Sequence, residues 1–189
     1  PRIPHDLHRL ETVELPPFKA AADAQAASIM TAHVMFPALD PDHPATLSPA
    51  ILHKILRERF RYEGVIVSDD LEMQALADHF SVEEMVVQGL LAGIDLFLIC
   101  HRAEWIERGL EAVRKALDSG RLPLSRVEEA CHRIQLMKAR FLGKVAKPDL
   151  QEARQIIGCH PHRALVAQIP KMHEDQNQSA RESSPVDQY

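Results

Sequence analysis

The sequence predicts an α/β fold built on parallel strands, and three observations carry that prediction. Apolar runs, rich in β-branched residues in the first two, occur at residues 28–34, 65–68 and 95–100. Each is followed by a segment whose apolar residues recur at helical spacing. The runs are also nearly all apolar rather than alternating, as strands are when both faces of a parallel sheet are covered. Strand–helix alternation of this kind gives parallel strands joined by right-handed crossovers.

Residues 1–17 read as loop, broken by Pro1, Pro4, Pro16 and Pro17, with a short helical turn over 8–15. An Ala-rich helix is expected over 18–27, starting after the proline pair. Behind the first strand, Pro37, Pro41 and Pro44 make 36–48 an ordered loop. Ser48-Pro49 reads as an N-cap followed by proline at the first helical position. It opens a helix to about Phe60, with Ile51, Leu52, Ile55, Leu56 and Phe60 on one face. After the second strand, a helix or turn begins over 71–77. Ser81-Val82-Glu83-Glu84 then forms a capping box before a helix over 85–92, which Gly93 closes. Helices follow the third strand over 103–119, ended by Gly120, and over 125–141, with Ser125 as N-cap. A shorter helix covers 150–157. From Pro170 the chain turns polar, and 170–189 reads as a disordered tail.

Length and composition fit one domain with a sizeable core: 189 residues, 46% hydrophobic and 26% charged. A net charge of −5 without a long basic run favours neither nucleic acid nor an anionic membrane surface. No window approaches the length of a membrane span, and no signal-peptide pattern opens the sequence. Cys100, Cys131 and Cys159 are odd in number and widely spaced, which predicts reduced thiols in a cytoplasmic protein. The sequence opens on Pro1 rather than Met, which reads as processing or as part of a longer reading frame.

Every predicted strand ends in polar residues: His33 after the first, Asp69 and Asp70 after the second, His101 after the third. In parallel α/β folds these ends converge on one face, where catalytic side chains are presented. Asp and His serve equally as acid, base, nucleophile or metal ligand, so convergence alone does not choose the reaction. One of Asp69 and Asp70 is also expected to cap the helix that follows. A lone His33 at a strand terminus is as readily a hydrogen-bonded structural group as a functional one.

Further ordered segments narrow the choice. Met30-Thr31-Ala32-His33-Val34, Pro37-Ala38-Leu39-Asp40 and Pro44-Ala45-Thr46-Leu47-Ser48 come first. Gly64-Val65-Ile66-Val67-Ser68-Asp69-Asp70-Leu71-Glu72-Met73 and Ala92-Gly93-Ile94-Asp95-Leu96 follow in order. Together they resemble glycoside hydrolase family 3, and within it the β-N-acetylhexosaminidase subgroup that removes β-linked N-acetylglucosamine from peptidoglycan fragments.

The resemblance implies that the chain holds the C-terminal portion, about three βα units, of a (β/α)8 TIM-type barrel, plus extra C-terminal helices. Residues 1–145 would be the partial barrel domain, 146–169 a helical extension and 170–189 the tail. It makes Asp69 the catalytic nucleophile of a retaining glycosidase, with Asp70 in support and His33 and Met73 lining the sugar pocket. It implies a small carbohydrate substrate, no cofactor, no metal, no nucleic acid and no membrane. The subgroup's acid/base is a His held by an Asp in an Asp-Ser-His segment, which this sequence does not contain. The opening Pro1-Arg2-Ile3-Pro4-His5-Asp6 resembles the segment immediately downstream of that loop. The chain is therefore expected to begin just after the acid/base, with an open sheet edge and turnover greatly reduced. Two other readings stand beside this one. One is a metal-dependent barrel hydrolase with His33, Asp69 and His101 as ligands; the other is a catalytically inactive remnant that binds or oligomerises.

Overall fold

Three parallel strands, side by side in chain order, form the sheet of the computed structural model, which describes residues 1–143 and 149–169. β1 (Ser28–Met30) pairs with β2 (Val65–Asp70), Ser28 opposite Val65 and Met30 opposite Val67. β3 (Leu96–Leu98) pairs with the other edge of β2, Leu96 opposite Val67 and Leu98 opposite Asp70. The α/β class with parallel strands is therefore as the sequence predicts. The chain divides into two units, Pro1–Lys144 and Val145–Tyr189.

The strands are less symmetric than their sequences. β1 stops at Met30 instead of reaching residue 34; the Thr31 N–H still bonds the Val67 carbonyl, and beyond it the Thr31 and His33 side chains turn to Thr46. β3 stops at Leu98, because the chain beyond turns its N–H groups to Glu72. β2 instead runs two residues past Ser68, so both carboxylates belong to the strand.

The first unit opens with one helical stretch: α1 (Leu7–Arg9), a π turn (Leu10–Glu14) and α2 (Leu15–Asp23). The expected start after the proline pair is corrected. Pro16 and Pro17 sit in the first turn of α2, behind a widened turn in which the Leu15 N–H bonds the Leu10 carbonyl. The wider turn carries the proline rings past carbonyls that an α-helix would press against them. Between β1 and β2, Ser48 caps as expected, its Oγ accepting from the Ile51 N–H at 3.1 Å. The helix it opens, Ala50–Arg59, is wound as a π-helix, and the Phe60 N–H bonds the Ile55 carbonyl. Its Leu52, Leu56 and Phe60 pack on Ile29, Ile66 and Ile94. Full burial of such a side chain is worth about 1.5–3 kcal/mol.

β2 leads through a turn to α3 (Gln74–Ala77) and α4 (Val82–Ala92). The capping box is present in full, with the Ser81 and Glu84 side chains each bonding the other's backbone N–H. Gly93, at φ +126°, ends α4. After β3 come α5 (Ala103–Asp118) and α6 (Leu124–Leu142). Ser125 is not the cap of α6: the helix starts one residue earlier behind Pro123, whose carbonyl takes the Arg126 N–H. Met85, Val86 and Leu90 of α4 meet Trp105, Ala112 and Ala116 of α5 in a second apolar cluster.

The helices cover one face of the sheet at β1, where Ile29 is buried, while Met30 on the opposite face is 51% exposed. The apolar run of β1 thus overstates its cover among the described residues. At the start of β3, Asp95 is fully buried between Arg57, Arg126 and Arg133 and accepts the Ile66 N–H at 2.9 Å. That cluster ties the N-terminal ends of β2 and β3 to the π-helix and α6.

In the second unit, Asp149 caps α7 (Leu150–Ile156), its carboxylate accepting from the Gln151 N–H at 2.8 Å. α8 (His160–Gln168), with Pro161 in its first turn, lies beyond the one helix placed over 150–157. The tail expected over 170–189 lies outside the described residues. Among the described residues no helix is long and apolar enough to cross a membrane, and Cys100, Cys131 and Cys159 are all free thiols.

Candidate active site

A bulge in β2 sets the geometry of the acidic strand end. From Val67 to Asp70 the strand advances three residues while β3 advances two, from Leu96 to Leu98, so one residue of β2 is extra. Bulges bend a strand and re-aim its side chains, and in parallel pairs they are rare. Here a side chain repairs the ladder: the buried Ser68 Oγ accepts the Leu98 N–H at 3.0 Å. Beyond the bulge the Leu71 N–H returns to the Leu98 carbonyl at 3.0 Å.

Asp69 and Asp70 are both half-buried at this end. One Asp69 oxygen accepts the Asp70 N–H at 2.8 Å, and Asp70 accepts the Glu72 N–H at 3.1 Å. The expected helix cap is corrected: Met73, not an aspartate, stands at the N-cap of α3, and Asp70 closes a tight turn in front of it. Helix N–H groups therefore do not face Asp69, and the neighbouring backbone N–H takes their place.

His33 is 4% exposed, and both ring nitrogens are engaged within the protein. Nε2 lies 2.9 Å from the Asp70 carbonyl, which can only accept, so Nε2 carries the proton. Nδ1 is hydrogen-bonded to the Thr46 hydroxyl at 2.8 Å, and Thr46 lies 3.0 Å from the Thr31 hydroxyl. This buried relay joins the end of β1 to the end of β2. Thr31 and Thr46 gave no signal in sequence, where each is one small polar residue in a long motif. Met73 stands 45% exposed beside the strand end.

Glu72 gave no signal of its own either, although it lies within the same motif. Its side chain is 7% exposed and Oε2 accepts the Cys100 and His101 N–H groups at 2.8 and 2.6 Å. Burial works to raise its pKa, and the N–H groups of His101, Cys100 and Arg102 more than reverse this, holding the carboxyl below its usual range. The Cys100 thiol goes the other way, raised by desolvation and then by the Asp70 carboxylate, so it is a poor nucleophile.

His101 is 80% exposed, with Nδ1 3.7 Å from Asp70 and 3.3 Å from Glu72. Asp70, Glu72 and His101 each offer a ligand atom within 4.8 Å of the others, which makes them the group that could hold a cation among the described residues. The trio His33, Asp69 and His101 is not gathered in this way, and the nitrogens of His33 are already spent. A cavity of about 720 Å³, lined in part by Lys19, Arg61 and Gly64, adjoins the start of β2. It is therefore at the opposite end of the strand from the carboxylates, whose case rests on strand-end geometry instead.

A parallel α/β unit with acidic and imidazole side chains gathered at the C-terminal edge of its sheet has the layout on which strand-end active sites are built. The chain belongs to glycosyl hydrolase family 3: residues 1–137 match the glycosyl hydrolase family 3 N terminal domain. A beta-hexosaminidase of Nitrosomonas eutropha is 36% identical over 126 residues, covering 65% of this chain and 36% of the relative. Beta-hexosaminidase A of Pseudoalteromonas piscicida is 29% identical over 187 residues, covering 89% of this chain and 31% of the relative. Among solved structures, a family 3 β-N-acetylglucosaminidase from Paenibacillus sp. str. FPU-7 superposes with a TM-score of 0.76 at 39% identity, covering 79% of this chain and 29% of that one. The β-N-acetylglucosaminidase from Thermotoga maritima gives 0.70 at 31% identity, over 74% and 31%. The chain thus spans about a third of the length of the relatives it matches.

Proposed function

We propose that this chain is part of a retaining β-N-acetylhexosaminidase that releases terminal β-linked N-acetylglucosamine, acting in peptidoglycan fragment turnover. Asp69 is its nucleophile. The observation that carries the reading is the position of Asp69 at the bulged C-terminal end of the central strand, in a chain whose family relatives are named beta-hexosaminidases. Its carboxylate attacks the anomeric carbon as the glycosidic C–O bond breaks, the leaving oxygen departs as a hydroxyl with a proton from a general acid, and water then hydrolyses the glycosyl ester to free sugar and carboxylate. The Asp70 N–H donates to one Asp69 oxygen at 2.8 Å and so orients the carboxylate.

In this reading the three βα units within residues 1–145 are the C-terminal part of a (β/α)8 barrel, and 146–169 is a helical extension. Met73 offers the sugar an apolar surface at the rim. His33 shapes the wall through its bonds to Thr46 and the Asp70 carbonyl. Asp70 is the support: it closes the turn and fixes the strand end. The test is hydrolysis of an aryl β-N-acetylglucosaminide by the protein that carries this chain. Asp69→Ala abolishes turnover, whereas Asp70→Ala leaves a measurable rate. Equal and total loss in both refutes the division of roles.

A further inference from the structure

Glu72 lies in a turn at the surface, yet its carboxylate is turned inward and almost wholly buried. Oε2 accepts two successive backbone N–H groups, from Cys100 and His101. Oε1 is buried without a hydrogen-bond partner, with Arg102 Nε 3.6 Å away. A desolvated carboxylate persists in such a place only where N–H groups are aimed at it. Asp70 accepts the Glu72 N–H, and the Leu71 N–H bonds the Leu98 carbonyl. Asp70, Glu72 and residues 98–101 therefore close a ring of hydrogen bonds just beyond the bulge. Within the bulge the main-chain ladder is irregular, so the position of Asp69 depends on what holds the strand on its far side.

We propose that Glu72 is a positioning residue, which clamps residues 100–102 to the turn after β2 and thereby fixes the orientation of Asp69 and keeps His101 beside Asp70. The kinetic consequence rests on Asp69 being the nucleophile; the clamp itself does not.

Glu72→Ala and Glu72→Gln are compared, in the protein that carries this chain, by two readouts, with Glu72→Asp, too short to reach, taking the place of the alanine variant if that one does not fold. The first readout is amide exchange. Loss of the acceptor speeds exchange at Cys100 and His101 by about tenfold or more while Ile66 and Val67 keep their protection. The second is the rate of covalent labelling by a 5-fluoro-N-acetylglucosaminyl fluoride. In that reaction Asp69 displaces fluoride and becomes a glycosyl ester, and fluoride departs without a strong general acid. Labelling slows by roughly 10- to 100-fold in the alanine variant, the range expected when a reacting group is misplaced by up to about 1 Å. It stays within about threefold in Glu72→Gln, whose amide oxygen still accepts both N–H groups.

Unchanged exchange in Glu72→Ala overturns the clamp. Faster exchange with an unchanged labelling rate overturns the hold on Asp69. Equal slowing in the glutamine and alanine variants shows that charge acts rather than position, and overturns the proposal as well. Absence of label in the wild-type protein that carries this chain removes Asp69 as nucleophile, and the kinetic claim with it, while the exchange data still decide the clamp.

Discussion

Asp95→Asn takes one charge and almost no volume from the centre of the first unit, and its cost follows from the geometry. The two oxygens of Asp95 serve four donors: Arg57 Nη2 at 2.5 Å and the Ile66 N–H at 2.9 Å on one, Arg126 Nη2 at 2.7 Å and Arg133 Nη1 at 3.4 Å on the other. An asparagine accepts on one side only and turns its own N–H₂ toward donors on the other. Glu129 still pairs with Arg126 and Arg133, which leaves Arg57 with no carboxylate among its partners on the described residues. Removing one member of a buried pair costs about 3–5 kcal/mol. The long Arg133 contact and the remaining Glu129 put this substitution near the low end, about 3 kcal/mol. At roughly 2–4 °C per kcal/mol for a chain of this size, the melting temperature falls by roughly 6–12 °C. Thermal and urea unfolding followed by circular dichroism at pH 7 measure it, with an unchanged urea slope confirming that stability alone has moved. A melting temperature within about 2 °C of wild type, inside the shift one kcal/mol would give, refutes the cluster as the tie between strand starts and helices.

Two further outcomes concern the start of β2. Gly64→Ala places a Cβ 2.3 Å from the Tyr62 hydroxyl oxygen and 2.7 Å from the Ala26 carbonyl, so overpacking costs about 3 kcal/mol in urea unfolding. Gly120→Ala, at φ +70° with open space around it, costs about 1 kcal/mol by backbone strain alone; equal losses at both sites would refute the steric account. Burial pushes the Tyr62 phenol up to about 12, against the pull of Arg57. Its folded pKa lies above the ordinary tyrosine value, so the stabilisation is complete below pH 10 and is lost as pH rises from 10 toward 12. Wild type therefore loses up to ~2 kcal/mol more than Tyr62→Phe between pH 9 and 12, read from urea midpoints. Parallel pH profiles would remove the buried phenol from the alkaline response.

What sequence conveys here is what repeats locally. Apolar runs placed the three strands, 3.6-residue spacing placed most of the helices, and Ser81 with Glu84 announced a helix start that forms as written. The acidic strand end was equally plain, because two carboxylates after an apolar run need a physical reason. The missed features are long-range. Asp95 reaches back to Arg57 and forward to Arg126 and Arg133, and Glu72 meets Cys100 and His101 across nearly thirty residues. No pattern along the chain encodes such pairings. His33 shows the same limit: its type and place were legible, while the threonine relay that occupies it comes from the residue just after β1 and from the segment before the π-helix. The bulge was hidden because it is a difference between two strands, and neither strand's residues alone record it.

That extra residue also fixes how the segment can tolerate change in length. Side chains on a strand alternate between faces, so one added or removed residue between Val67 and Asp70 exchanges the faces toward which Asp69 and Asp70 point. A substitution at Ser68 weakens one bond, but a single deletion would let the ladder with β3 close evenly and present the other carboxylate in place of the first. The segment therefore accepts changes of side chain far more readily than changes of count.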